Sequence, residues 1–317
     1  MLVTLESLID DNINVSDEVI DMESLEFDIT NTIMECSELS MDINTYESAL
    51  TVCNNIQMEN DKNNIFKRFV ENIKKLLKRV KDFIKNIIDT ISYKLDKRDN
   101  DKKYNNIINR IQKSSESVFV CDFNKLVTEL YEQKLTSKHI DDFITACNNY
   151  GTNCLKLLDQ FHKNIVNDNN TDDVMQDFQI ESDKFVNSIK NNPIYNTISK
   201  FNADGQSIST ERYVWQTEKH KISKDELIHR VEWCRDIQLN VNKYQDTYKI
   251  IDKLSKDFDN IQFIYNDKVT DYIKLVNSIV HQINKSCYLV WDIFNHISRD
   301  DIRYINKQLD ELETWKN

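Results

Sequence analysis

Glycine and proline are almost missing: 317 residues contain Gly151, Gly205 and Pro193 and no others of either type. Hairpin turns and the short loops of α/β folds draw on these residues for their φ angles. With 40 % hydrophobic residues and so little punctuation, the chain is expected to be all-α. The same scarcity removes whole classes of chemistry. Phosphate-cradling loops and dinucleotide fingerprints need clustered glycines so that backbone amides can reach the ligand. No run approaches the length of a membrane-spanning helix, and the N-terminus has no basic stretch followed by an apolar core. Neither a transmembrane segment nor a secretory signal is expected, and synthesis is assigned to a cytoplasm. Seven cysteines, at 36, 53, 121, 147, 154, 234 and 287, are scattered with no C-x-x-C pair. They are expected as small buried hydrophobes in a reducing compartment, without metal or disulfide roles.

Lysine and arginine are missing from residues 1–60, which carry fourteen Asp or Glu; the rest of the chain carries a net +2 within a total of −12. Stretches such as LESLIDDNI and VIDMESLEFDI have apolar spacing suited to short amphipathic helices. Their charge density makes this a weakly self-sufficient segment. Three divisions follow: an acidic leader over 1–60, a candidate propeptide; a basic amphipathic helix and linker over 61–103; and a helical body over 104–317.

FKRFVEN-IKKLLKR-VKDFIKN, from Phe66, gives three heptads with apolar first, fourth and fifth positions. Apolar residues at 66, 69, 70, 73, 76, 77, 80, 83, 84, 87, 88 and 91 predict a helix about 39 Å long. KLDKRDNDKK (94–103) is expected as a linker or exposed helix end. Helical patterns follow over about 104–118 and 122–134, from Ser137 to about Val166 with Gly151 as a bend, and over 172–190. Residues 202–221 are the least helical part, expected as a small irregular or β-hairpin insertion. Beyond them Ser223 and Glu226 are expected to form a capping box, SKDE, each side chain satisfying a free backbone amide, ahead of one long helical pattern from 227 to 258. A second runs from 269 to 297, and a last helix starts at Ser298–Asp301. The expected architecture is a long-helix bundle or coiled-coil hairpin.

Catalytic motifs are scarce. Glu226-x-x-His229 has the spacing found in di-iron bundles, and Asp159-x-x-His162 is a degenerate second half, but no bridging carboxylate pair accompanies them. The simpler reading is an exposed histidine near a helix cap. Asp141-Asp142, Asp172-Asp173 and Asp300-Asp301 sit where acids favour a helix dipole. Trp215, Trp233, Trp291 and Trp315 suit core or interface anchors. No catalytic residue, metal ligand, cofactor or small-molecule substrate is expected.

Three readings compete for residues 66–91. The apolar stripe packs on the rest of the chain and the bases face water; or the helix lies on an anionic membrane surface; or Lys67, Arg68, Lys74, Lys75, Lys78, Arg79, Lys81 and Lys85 neutralise nucleic-acid phosphates. The acidic leader, with its own Leu, Ile and Phe, is the expected cover for both charge and apolar surface.

A short acidic leader opening near VTLESLIDD, then a Lys-rich amphipathic helix with spaced Phe and Ile, then a long helical body, resembles the internal head proteins of large tailed bacteriophages. The resemblance covers the first hundred residues. It implies a non-enzymatic virion protein packaged inside the capsid beside DNA and other virion proteins, with an acidic propeptide cleaved behind a glutamate. The family's cleavage pattern is a small or aliphatic residue, any residue, then Glu. Ser24-Leu25-Glu26 and Ile33-Met34-Glu35 fit it; Glu59, preceded by Gln57-Met58, lies at the charge boundary and departs from it. The alternative is a helical scaffold or membrane-peripheral interaction protein that keeps its leader.

Overall fold

The structure, a computed structural model, describes residues 59–96, 99–201, 217–261 and 267–314, together with Cys36 and Leu39. The helical periodicities of the sequence become α1 (Glu59–Asp96), α2 (Asp99–Lys113), α3 (Lys125–Glu132), α4 (Ser137–Val166) and α5 (Asp172–Ile189), and a short α6 (Pro193–Phe201) that the spacing did not predict follows. They continue in α7 (Lys224–Asp236), α8 (Val241–Asp259), α9 (Asp267–Asn295) and α10 (Asp301–Thr314). A π-helical turn, His296–Asp300, joins α9 directly to α10. Two strands, β1 (Val118–Asn124) and β2 (Thr217–Ser223), complete the described chain. The all-α expectation with one small β element therefore holds.

Side chains set the helix starts by accepting hydrogen bonds from amides that have no partner within the helix. Asn124 ends β1 and starts α3, its Oδ1 accepting from Leu126 N at 2.9 Å. Thr136 and His139 make a reciprocal capping box at α4. Ser223 accepts from Glu226 N at 3.2 Å and starts α7, which is the serine half of the expected SKDE capping box.

The pattern from 227 to 258 is not one helix. It breaks between Asp236 and Val241. Ser137 holds the break, its Oγ donating to Asp236 O at 2.9 Å and accepting from Gln238 N at 2.8 Å. Ile237 and Leu239 are buried inside the break. The apolar spacing therefore continues while the backbone does not, which is why periodicity missed it.

Two packing regions share one cluster of buried side chains. In the first, α4, α8 and α9 contact one another, α5 packs on α4, and α1 lies on α8 and α9. Lys74 pairs with Asp259 at 3.0 Å and Lys81 pairs with Asp252. The pairs lie one heptad apart on each helix and run in opposite senses, so α1 docks antiparallel to α8. Gly151 does not bend α4, which is continuous from 137 to 166. A Cβ at this position would sit 3.0 Å from both Ile250 Cγ2 and Ile283 Cδ1, so the missing side chain lets α4 close on α8 and α9 together.

In the second region β1 and β2 pair antiparallel, from Val118 opposite Ser223 to Asn124 opposite Thr217. The β element expected near 202–221 is present at 217–223, and residues 202–216 lie outside the described set. Its partner comes from 118–124, a stretch whose ends the sequence pattern assigned to two helices. Phe119, Cys121 and Phe123 point inward and are buried, while Val118 and Val120 are exposed, a period of two that is only seven residues long. α10 packs on β1, and α2 packs on α7. Lys224, at the head of α7, donates through Nζ to the carbonyls of Gln112 and Ser114, at 3.0 and 2.7 Å, and so closes the end of α2. The expected linker 94–103 is helical up to Asp96 and again from Asp99.

Candidate nucleic-acid interface

Of the twelve apolar positions expected in 66–91, eleven are buried and Ile88 is partly buried. Phe69, Ile73, Val80, Phe83, Ile84 and Ile87 are wholly excluded from solvent. α8 and α9 supply contacts to this face. The expectation that the acidic segment shields the stripe falls mostly on residues outside the described set. Of that segment, Cys36 is buried in the common core and Leu39 packs against it, one helical turn apart; its other residues up to Met58 lie outside the described set.

With its apolar face occupied, α1 presents charge alone. Lys67, Arg68, Lys74, Lys75, Lys78, Arg79 and Lys85 are exposed, against Glu71 and Asp89 as exposed acids. Lys81 is different. It is partly buried, hydrogen-bonded to Asp252, and lies 5.4 Å from the centre of the Tyr248 ring. The Asp252 hydrogen bond raises its pKa, and Asp252, held by Lys256 at 2.6 Å and by Lys81, is lowered in turn. Lys81 and Lys74 thus work chiefly in docking α1, and the remaining bases form the outward stripe. Glu59, one of the three cleavage candidates, is the first residue of α1, while Glu26 and Glu35 lie outside the described residues.

The metal-like motifs do not assemble. His229 lies 3.3 Å from Glu232 on its own helix, Asp159 lies 3.8 Å from Lys253, and His162 rests near the Tyr272 ring. Among the described residues no group of three His, Cys, Asp or Glu could hold a metal ion. Four buried thiols are poor nucleophiles where they stand. Burial pushes Cys121 and Cys154 up to about 12, and burial raises Cys234 well above its ordinary value. Cys287 is raised by its hydrogen bond with Cys147 and by burial. Trp233 donates to Leu135 O at 2.8 Å and meets Tyr131 edge-on, and Trp291 is buried, so both act as anchors. Trp215 and Trp315 lie outside the described residues.

Sequence reasoning missed the buried centre of the second region. Arg230 of α7 and Asp301 at the start of α10 form an ion pair with side chains 3 % and 0 % exposed. Arg230 also donates to Thr128 Oγ1 at 3.1 Å and stacks on Phe123, its Cζ 3.8 Å from the ring centre. One signal was available: Arg230 falls between Leu227, Val231 and Cys234 on the apolar side of its helix, where a charge needs a partner. Asp301 gave none, since an acid at a helix start has an ordinary explanation.

Among the described residues no helix is long and apolar enough to cross a membrane. No protein-family model, no curated protein and no solved structure matches the chain.

Proposed function

We propose that the chain is a non-enzymatic virion structural protein of a tailed phage, packaged inside the head, in which the outward bases of α1 lie against DNA. In this reading the acidic leader covers those bases before assembly. The observation that carries it is the division of labour on α1: its apolar face is buried against α8 and α9 while its bases remain exposed. Surface binding to lipid draws much of its free energy from inserting apolar side chains. α1 would have to leave the bundle to offer them, whereas phosphate neutralisation uses the folded protein as it stands.

The burial of Cys36 and the packing of Leu39 bear on processing. Cleavage behind Glu59 would strip both from the core, whereas cleavage behind Glu26 or Glu35 would leave them in place. The geometry therefore favours the two sites that also fit the small-or-aliphatic pattern. Mass spectrometry of protein recovered from particles is the test, with a terminus at residue 27 or 36 expected. A terminus at Met1 would remove the maturation step, and one at residue 60 would contradict the role given to Cys36.

A further inference from the structure

A second concentration of positive charge lies on another element. Arg299, Arg303 and Lys307 recur every four residues through the end of the π turn and the first half of α10, a spacing that places side chains on one helix face. Lys103 of α2 joins them, and together they line an open groove of 640 Å³ with buried Ile302 beneath. Arg303 and Lys307 are exposed. Like charges at this spacing each cost a helix a few tenths of a kcal/mol, and nothing in the packing of α10 on β1 requires them.

Two of the acids nearby, Asp310 and Glu313, are engaged by Arg110. Asp310 and Glu311 line the far end of the groove. Asp310 accepts from Arg110 Nη2 at 2.5 Å, while Glu313 takes both Nε and Nη2 of the same guanidinium at 3.0 Å. A third donor, Nη1, reaches Asn306 Oδ1 at 3.2 Å. These hydrogen bonds hold the Arg110 pKa up, Glu313 contributing most. Arg110 therefore ties α2 to α10 and offsets Asp310, so that among the described lining residues four bases stand against Glu311.

The shape narrows the ligand. An open trough suits a chain passing through better than an enclosed small molecule. Among the described residues no aromatic side chain lines it, so these residues offer no platform for unstacked bases, which single-strand sites commonly use. Cations stepping about 6 Å along the helix suit a row of backbone phosphates. We propose that this groove is a second nucleic-acid site, independent of α1, which grips the phosphate backbone of a duplex without reading its sequence.

The test uses full-length protein, duplexes of two unrelated sequences, and salt from about 50 to 200 mM, the range over which phosphate contacts are lost. Arg303→Gln with Lys307→Gln is compared with Lys75→Gln, Lys78→Gln and Lys85→Gln, each variant checked by thermal melting. Loss of two contacts should flatten the slope of log affinity against log salt by about 2, equally for both sequences. Wild-type affinity and slope in the groove variant overturn the proposal, even where the α1 variant is weakened and the reading of α1 stands. A poly-glutamate chain that outcompetes duplex for the groove, and loses that advantage in the groove variant, would assign it to an acidic polypeptide and overturn it too.

Discussion

Arg230 and Asp301 meet in the interior, where Nε and Nη2 of the guanidinium both lie 2.6 Å from Oδ2 of the carboxylate. The pair joins α7 to the junction of the π turn and α10, and the Thr128 hydrogen bond and Phe123 ring bring in α3 and β1. Four elements of the second region thus depend on one cation. A buried pair adds little over apolar packing, but breaking it strands a charge.

Asp301→Ala is accordingly expected to destabilise the fold by about 3–5 kcal/mol. Joint replacement of Arg230 by Met and Asp301 by Leu should recover most of that loss. Urea denaturation of the three proteins measures both effects. Equal losses in the single and joint variants would mean that the site depends on shape and not on charge pairing.

Gly151 marks the closest approach of α4 to its neighbours. Replacing Gly by Ala in a helix interior ordinarily gains about 1 kcal/mol, but here the new methyl meets Ile250 and Ile283 at 3.0 Å. Gly151→Ala should therefore forfeit that gain. Gly151→Leu should overpack the three-helix contact and cost roughly 1–3 kcal/mol or more. Thermal melts of the two variants check the order, which a flexible hinge role for this glycine would not produce.

Packing and charge on α1 should separate cleanly. Leu76→Ala and Phe83→Ala are expected to cost about 2–5 kcal/mol each, because both side chains are enclosed. Lys75→Gln, on the exposed stripe, should stay within about 0.5 kcal/mol. Denaturation midpoints decide the matter. Comparable effects from the two kinds of substitution would argue that α1 does not dock as described.

Alkaline pH should weaken the fold through its buried acids. Burial raises Cys121 and Cys154 from an ordinary 9.0 to about 12, and raises Tyr104, Tyr150 and Tyr272 above the ordinary 10.0. Between the unfolded and folded values the unfolded chain has lost these protons and the native one has kept them. Stability is therefore full below about pH 9 and falls as pH rises through the folded values. Denaturation followed from pH 7 upward should show the decline. Thiol-reactive dye at mild pH should label Cys121, Cys154 and Cys234 only after unfolding.

Legibility followed the range of the interaction. Ser137–Val166 and Asp172–Ile189 were apparent from apolar spacing and end signals, because each pattern lies within its own helix. β1 was not apparent, since seven alternating residues between helical patterns carry too little signal without β2 beside them. The exposed bases of α1 could be named from sequence. That Lys74 and Lys81 would instead pair with Asp259 and Asp252 depended on the antiparallel docking of α8.

Sequence alone determined that the chain is helical, that its acidity is confined to the first sixty residues, and that α1 has one apolar and one basic face. Composition and periodicity are local properties, and they define which face of a helix must be covered. Tertiary structure decided what covers it. α8 and α9, far along the chain, supply the surface for α1, and Arg230 finds Asp301 seventy-one residues away. A period specifies the need for a partner, but only packing in three dimensions selects which partner meets it.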